Sequence, residues 1–387
     1  MLTTSISFKN FKIRTNKSIV KKKIISLIKN KNHVISSLSK NYKNSFDKKK
    51  LKKYKKDLNY RVIGMGGSTL GTQAIYDFLN EKIKKKFSFI DNLQVSQKKN
   101  KKNKKNFFTN LIVSKSGNTI ETIINSNILI KKKDKNIFIT ENKKSYLFLL
   151  AEKLKADIIH HNNFIGGRYS VLSEVGMLPA ELMGLKSKDF KQLNELIKNK
   201  KFINALISNV SSTLYFIKKK KFNSIIINYD QKSENLFKWY QQLVAESLGK
   251  HKKGLLPIVS NMPKDNHSVM QLYLDGFKNN FFTFFYVNEH KSDKIKNSSI
   301  LSSQKYLKNK NLSQITLAQK KATENVFKNK NIPFRSFEIY KRDEKTLGEL
   351  FCFFILETIL LGQSMRLNPF DQPSVELIKK ETKKLLI

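Results

Sequence analysis

The chain has 387 residues, 40% of them hydrophobic, and a formal net charge of +45. This length allows a substantial buried core and exceeds the usual size of one domain, so we expect two domains. The positive charge is spread along the whole chain rather than gathered in one basic arm, which argues against a specific nucleic-acid partner, and the single cysteine excludes an internal disulfide.

Residues 1–55 mix short apolar clusters with lysine, which predicts amphipathic helices packed outside a core domain. Residues 1–18 contain no apolar core of signal-peptide length. A mitochondrial transit peptide stays open on composition, but lysine rather than arginine dominates the early charges. We therefore expect a cytoplasmic protein.

Strands and helices then alternate, which predicts a first α/β domain over residues 56–199. The predicted strands are YRVIG, NLIV and NIFIT, and the first two lead through the loops GMGGS and SKSGNT into segments of helical spacing. Such alternation is typical of a parallel sheet with helices on both faces. The polar tract SQKKNKKNKKN at 96–106 is predicted to be a solvent loop.

A second alternating set predicts another α/β domain over 200–368. Its strands are predicted in SIIINY, GLLPIVS and NNFFTFFYV, its helices in ENLFKWYQQLVAESLG and SVMQLYLDG, and a loop-rich crossing follows at 289–314. The apolar run LFCFFILETILLG is too short to cross a membrane and contains Glu357, so a buried helix with a buried, inert Cys352 is expected. Residues 369–387 form a C-terminal arm whose helix begins at Pro373 and Ser374.

Two adjacent glycines precede an arginine in NFIGGRYS. Gly166 and Gly167 lack Cβ and allow the backbone to approach a ligand closely. Arg168 would then lie beside an anionic group as an electrostatic clamp. The residues alone leave another interpretation open, in which the glycines only form a turn and Arg168 is a solvated surface residue.

Five groups of motifs occur in the order found in the phosphoglucose isomerase family, which the chain resembles from about residue 60 onward. They are GMGGSTLG, SKSGNTIET, GGRYS, QQLVAESLGK with DNHSVMQLYLDG, and NPFDQPSVELIKK. The resemblance implies two doubly wound, parallel-sheet domains of the sugar isomerase (SIS) type, with helices on both faces and a C-terminal helical arm. It also implies reversible interconversion of glucose 6-phosphate and fructose 6-phosphate without a cofactor, a step of glycolysis and gluconeogenesis.

The segment SKSGNT supplies hydroxyl groups and a turn at the start of a helix, where backbone N–H groups and the helix dipole favour a phosphate. The residues alone also allow the interpretation that this segment is only a serine-rich helix cap. The resemblance assigns the phosphate site to a loop and its neighbours, namely Ser114, Lys115, Ser116 and Thr119, with Gly67 and Ser68 in the same pocket.

Isomerisation needs a base that moves a proton between C2 and C1 through a cis-enediolate. The resemblance assigns this base to Glu246, on a helix whose apolar face would partly desolvate the carboxylate. A lone glutamate on a helix could also belong to a solvated face. By the same resemblance Gln242 and Gly167 contact the substrate, and Arg168 stabilises the enediolate charge.

Closed sugar rings must first be opened, and the resemblance assigns this step to His267 and Lys379. A histidine titrates near neutrality and can exchange a proton with the ring, although His267 could also be a helix-capping or core residue. Lys380 adjoins Lys379, so the register of that assignment stays open. The resemblance further implies substrate contact by Gln372 and a homodimer in which His267 comes from the other subunit.

Other functions remain open beside this one. They are a dual phosphoglucose and phosphomannose isomerase, a noncatalytic sugar-phosphate-binding protein on the same sheets, and a basic nucleic-acid-binding protein. We expect no metal, because the adjacent His160 and His161 point in different directions and no acidic partner stands at ligand spacing. The glycines of GMGGSTLG do not match a dinucleotide fingerprint.

Overall fold

A computed structural model of the protein describes residues 1–30, 32–94, 107–289 and 292–387. These residues form two five-stranded sheets. The solvent loop predicted at 96–106 lies outside the described residues.

The first sheet is wholly parallel and has the strand order β3-β2-β4-β5-β6. Its strands are β2 (Asn59–Gly64), β3 (Lys86–Ile90), β4 (Thr109–Val113), β5 (Lys135–Thr140) and β6 (Asp157–His160). The three strands predicted in this part of the sequence are confirmed as β2, β4 and β5. Strands β3 and β6 were not predicted, because each is a short, partly exposed edge strand without a long apolar run.

The second sheet has the order β1-β10-β9-β7-β8. Its strands are β1 (Ile6–Lys9), β7 (Asn223–Asn228), β8 (Leu256–Asn261), β9 (Asn280–Val287) and β10 (Phe334–Ile339). Strand β1 is antiparallel to β10, and the other strand pairs of this sheet are parallel. The helical prediction for residues 1–55 was therefore incomplete, since four residues are too few to produce a clear alternation and long-range pairing decides their conformation.

Helices cover the sheets. They are α1 (Ser18–Lys29), α2 (His33–Ser37), α3 (Leu70–Phe78), α4 (Ile120–Leu129), α5 (Tyr146–Lys153), α6 (Glu174–Met183), α7 (Leu193–Leu196), α8 (Lys200–Lys218), α9 (Glu234–Leu248), α10 (Met270–Asp275), α11 (Leu312–Asn329), α12 (Glu344–Ser364) and α13 (Val375–Leu385). Short 3-10 helices at Gly66–Ser68, Gly167–Leu172 and Lys264–His267 carry predicted site residues.

Both faces of each sheet are buried. In the first sheet Val62 and Ile137 belong to the main core, whereas their neighbours Ile63 and Phe138 belong to a separate cluster with helix α5. The second sheet alternates in the same way between the main core and a cluster that includes Phe327 of α11. This arrangement is the predicted α/β fold with parallel sheets flanked by helices.

Helix α12 lies in the centre of the molecule and packs against α1, α8 and α9. It is long and apolar enough to span a membrane, but 94% of its most apolar stretch is buried inside the protein, as in the core helix of a globular protein. The prediction of a buried helix is confirmed, but the length argument for it was wrong, because the helix extends beyond the apolar run to 21 residues. Burial also raises the pKa of the Cys352 thiol to about 12, so this buried cysteine stays protonated and unreactive.

The predicted terminal helix is confirmed as α13, which begins directly after Ser374. Every residue of this helix except Thr382 is exposed, including Leu377 at 64% and Ile378 at 71%. Helix α13 therefore does not pack into the core of its own chain.

Candidate active site

Two loops meet at one edge of the first sheet. Strands β2 and β4 are parallel neighbours, so the loop Gly64–Ser68 and the loop Ser114–Thr119 both follow the carboxyl ends of adjacent strands. A Cβ atom on Gly67 would lie 2.2 Å from the carbonyl carbon of Gly167. Gly67 therefore allows the first loop to pack directly, backbone against backbone, on the 3-10 helix that carries Arg168.

Arg168 is buried, with 1% of the residue exposed. All five of its N–H donors are used: Nε donates to Ser247 Oγ (2.8 Å), Nη1 to Glu246 Oε2 (3.3 Å) and Gln372 Oε1 (2.5 Å), and Nη2 to the carbonyl oxygens of Pro369 (2.7 Å) and Asp371 (3.0 Å). The alternative of a solvated surface arginine is therefore wrong. The guanidinium instead joins three distant parts of the chain.

Glu246 lies between an amide and the guanidinium. Its Oε1 accepts a hydrogen bond from Gln242 Nε2 at 2.8 Å, one helical turn earlier on α9, and its Oε2 faces Arg168. The Glu246 side chain is 28% exposed, and it lines an open cavity of about 520 Å³ between α3 and α9. The carboxylate is thus fixed in position, next to a cation, and still reachable from solvent.

Gln242 has an unused acceptor. Its Oε1 is buried and finds no hydrogen-bond partner among the described residues. A buried acceptor without a donor is costly, and a ligand hydroxyl group would satisfy it. Gly66, at φ +53°, stands close by, since a Cβ there would lie 2.7 Å from Gln242 Nε2. The loop after β2 and helix α9 therefore meet at this amide.

Several residues that support this site were not assigned a role from the sequence. The Tyr169 hydroxyl donates to the Pro369 carbonyl oxygen at 2.9 Å and lies 2.8 Å from Ser247 Oγ. Burial raises the pKa of Tyr169, which keeps this donor protonated. Trp239 of α9 donates from Nε1 to the Arg168 carbonyl oxygen at 3.0 Å. The only sequence signals were the adjacency of Tyr169 to Arg168 and of Ser247 to Glu246.

The loop after β4 forms a second cluster. Ser114 Oγ and Thr119 Oγ1 lie 2.9 Å apart, and Gly117 has φ +65°, a conformation that favours glycine. Ser116 is exposed, and its Oγ accepts a hydrogen bond from the backbone of Asn118 at 3.3 Å. Helix α4 begins after Thr119, whose side chain does not cap it. The helix-cap alternative is therefore wrong for Thr119, and the helix start remains able to bind an anion.

Lys115 connects the two clusters. Its Nζ donates to the carbonyl oxygen of Asn163 at 2.7 Å and lies 3.5 Å from Glu141. Asn163 stands four residues before Gly167. The loop after β4 and the Arg168 segment are thereby joined through the Lys115 side chain.

Within one chain, neither His267 nor Lys379 makes a hydrogen bond or ion pair with the described residues of this site. His267 is exposed, ends the 3-10 helix after β8, and makes no side-chain hydrogen bond to any described residue. It is therefore neither a core histidine nor a helix cap. Lys379 lies on the exposed helix α13 and pairs with Glu376 at 2.6 Å. Lys380 lies beside it on the same helix, so the register of the lysine assignment stays a prediction.

Solved structures share this fold. A hypothetical protein from Thermus thermophilus superposes with a TM-score of 0.81 at 22% sequence identity, covering 96% of this chain and 94% of that one. A glucose-6-phosphate isomerase from Chlamydia trachomatis gives a TM-score of 0.71 at 16% identity, covering 96% of this chain and 83% of that one.

Curated relatives are more similar in sequence. The glucose-6-phosphate isomerase of Methanocaldococcus jannaschii is 33% identical over 348 residues, 85% of each chain. That of Mycoplasmopsis pulmonis is 33% identical over 351 residues, 84% of this chain and 82% of its own. The family model for phosphoglucose isomerase matches residues 19–386. The chain belongs to the phosphoglucose isomerase family.

Proposed function

We propose that this protein catalyses the reversible isomerisation of D-glucose 6-phosphate and D-fructose 6-phosphate. The observation that carries the proposal is the carboxylate of Glu246, held at 2.8 Å by Gln242 and at 3.3 Å by Arg168 beside an open cavity. A coupled assay of the purified protein with fructose 6-phosphate tests it. Absence of turnover, with binding retained, would instead favour a noncatalytic sugar-phosphate-binding protein.

The geometry supports a single-base mechanism. Glu246 takes the proton from C2 of the open-chain aldose, the electron pair of the C–H bond forms the C1–C2 double bond, and the C1 oxygen becomes negatively charged. The same carboxyl group then returns its proton to C1, the C2 hydroxyl gives up its proton while the C1 oxygen gains one, and the C2 oxygen becomes the ketone. As Glu246 gains the proton, negative charge moves to the substrate, and the fixed cation of Arg168 stabilises it there.

The phosphate is proposed to bind at the second cluster, around Ser114, Ser116, Thr119 and the start of α4. Gly67, Ser68 and Gly167 would line the same pocket, because their loops meet at that edge of the sheet. Gln242 and Gln372 are proposed to contact the sugar hydroxyls. The buried Oε1 of Gln242, which has no hydrogen-bond partner among the described residues, supports the contact proposed for Gln242. The two sheets with their helices would correspond to domains 56–199 and 200–368, with β1 added to the second.

Removing two phosphate ligands is expected to raise KM. In Ser116→Ala combined with Thr119→Ala, we expect KM to rise at least about tenfold with little change in kcat, because the phosphate is bound alike in substrate and transition state. Steady-state kinetics measure both constants. The exposed pair Ser302→Ala with Ser303→Ala is the matched control. An unchanged KM with a collapsed kcat would contradict the assignment.

The active unit is proposed to be a cytoplasmic homodimer in which His267 reaches the site of the other subunit. Two features support this: His267 is exposed, without a side-chain partner among the described residues, and α13 is exposed with its apolar residues. A two-fold dimer would present each contribution twice and create two equivalent sites. Ring opening would then depend on His267 of the neighbouring chain and Lys379 of the C-terminal arm.

Mixing two inactive variants tests the shared site. When His267→Ala and Glu246→Gln exchange subunits, one site of each mixed dimer receives both lesions and the other receives neither. Equal amounts give about half mixed dimers with one good site each, so activity should recover to roughly a quarter of wild type. Mass analysis verifies the exchange. Verified mixed dimers without activity would show that His267 does not act across subunits.

A further inference from the structure

Lys250 stands just beyond the end of α9, four residues after Glu246, and its side chain is 7% exposed. Its Nζ donates to the backbone oxygen of Asn368, to the backbone oxygen of Asp371 at 2.7 Å and to the Asp371 carboxylate at 2.6 Å. An ammonium group has three N–H donors. All three are therefore directed at one short segment, 368–371, at the base of the C-terminal arm.

The same segment is held from its other side by Arg168. The guanidinium binds the carbonyl oxygens of Pro369 and Asp371, so the Asp371 oxygen is shared between the two cations. Carbonyl oxygens that converge in this way repel one another unless positive charge lies between them. The conformation of the segment thus depends on both Lys250 and Arg168.

A connected path leads from Lys250 to the proposed base. Lys250 holds Asp371, whose backbone oxygen accepts a hydrogen bond from Arg168 Nη2. Arg168 Nη1 in turn donates to Glu246 Oε2 and to Gln372 Oε1. Helix α13 begins only three residues after Gln372. A shift of this segment would therefore move the guanidinium, the Gln372 amide and the origin of the arm together.

We infer that Lys250 is a positioning residue for the isomerisation, which sets the place of Arg168, Gln372 and the C-terminal arm by clamping residues 368–371. This role rests on the proposed function. It differs from the roles of Glu246 and Arg168, because Lys250 makes no hydrogen bond to Glu246, does not line the cavity, and acts only through residues 368–371. The phosphate cluster on the first sheet does not contact Lys250 and should be unaffected by its loss.

The test is Lys250→Met, which keeps the length of the side chain and removes its charge and donors. We expect kcat to fall about tenfold to a hundredfold, because small displacements of positioned groups have effects of that size, while KM changes less than about threefold. Hydrogen exchange of the full-length protein should become faster in residues 366–374 and stay unchanged in residues 114–129. Lys250→Arg, which keeps a charged donor, should recover part of the lost kcat.

The matched control is Lys252→Met, an exposed lysine in the same turn without a side-chain partner among the described residues. It should leave kcat, KM and exchange as in wild type. All rates are measured below the melting temperature of each variant, so that a purely structural loss appears in stability alone. If the wild type is active and Lys250→Met shows a normal kcat or unchanged exchange, this role is overturned. If the wild type itself is inactive, the proposed function is overturned and this role with it.

Discussion

Replacing Glu246 with glutamine is expected to lower kcat about a hundredfold to ten-thousandfold, the usual effect of losing a general base. The amide keeps the shape of the side chain but cannot accept the C2 proton. The fold should tolerate it, because the new amide oxygen can still accept from Arg168. Gln242 can rotate its amide so that the unpaired Oε1 accepts from the new NH₂ group.

The measurement pairs steady-state kinetics with calorimetric binding of fructose 6-phosphate. Binding should persist, because the phosphate cluster on the loop after β4 is unchanged. Glu152→Gln removes an exposed carboxylate on α5 that has no ion-pair partner among the described residues, and it serves as the control with wild-type kinetics. Near-normal turnover by Glu246→Gln would remove Glu246 from the mechanism.

Replacing Arg168 with lysine is expected to lower kcat about a hundredfold to a thousandfold, the range for disturbing a preorganised group that stabilises developing negative charge. The charge is kept, but three donors replace five and the planar geometry is lost. A lysine cannot reach Ser247, Glu246, Gln372 and the two backbone oxygens together. We expect the free energy of unfolding to fall as well, by about 1–3 kcal/mol, because buried acceptors lose their donors.

Urea denaturation and steady-state kinetics of the same preparation separate these two effects. Arg14→Lys is the matched control, since Arg14 is exposed and makes no side-chain hydrogen bond within the described part of the chain. It should change neither quantity. If Arg168→Lys turned over at close to the wild-type rate, the guanidinium would have no special part in stabilising the enediolate.

The sequence alone determined the elements whose signal is local. Strands β4 and β9 are buried along their whole length and appear as short segments rich in apolar residues, and α12 appears as a long apolar helix. A close backbone approach does occur beside Arg168, but the glycine that it requires is Gly67: a Cβ there would lie 2.2 Å from the Gly167 carbonyl carbon, whereas a Cβ on Gly167 would make only ordinary contact, at 3.7 Å. The motifs also identified the family, because their order along the chain is specific.

The tertiary structure determined the features of this protein that leave no local pattern in the sequence. Four residues of β1 become a strand only because β10, more than 300 residues away, offers them a free edge. Arg168 lies 79 residues from Ser247 and 204 from Gln372, and Lys250 lies 121 from Asp371. Hydrogen bonds across such separations leave no periodicity in the sequence. Only the packing of α9 and the C-terminal segment around one buried guanidinium brings these groups together, because that charge must find all its acceptors inside the protein.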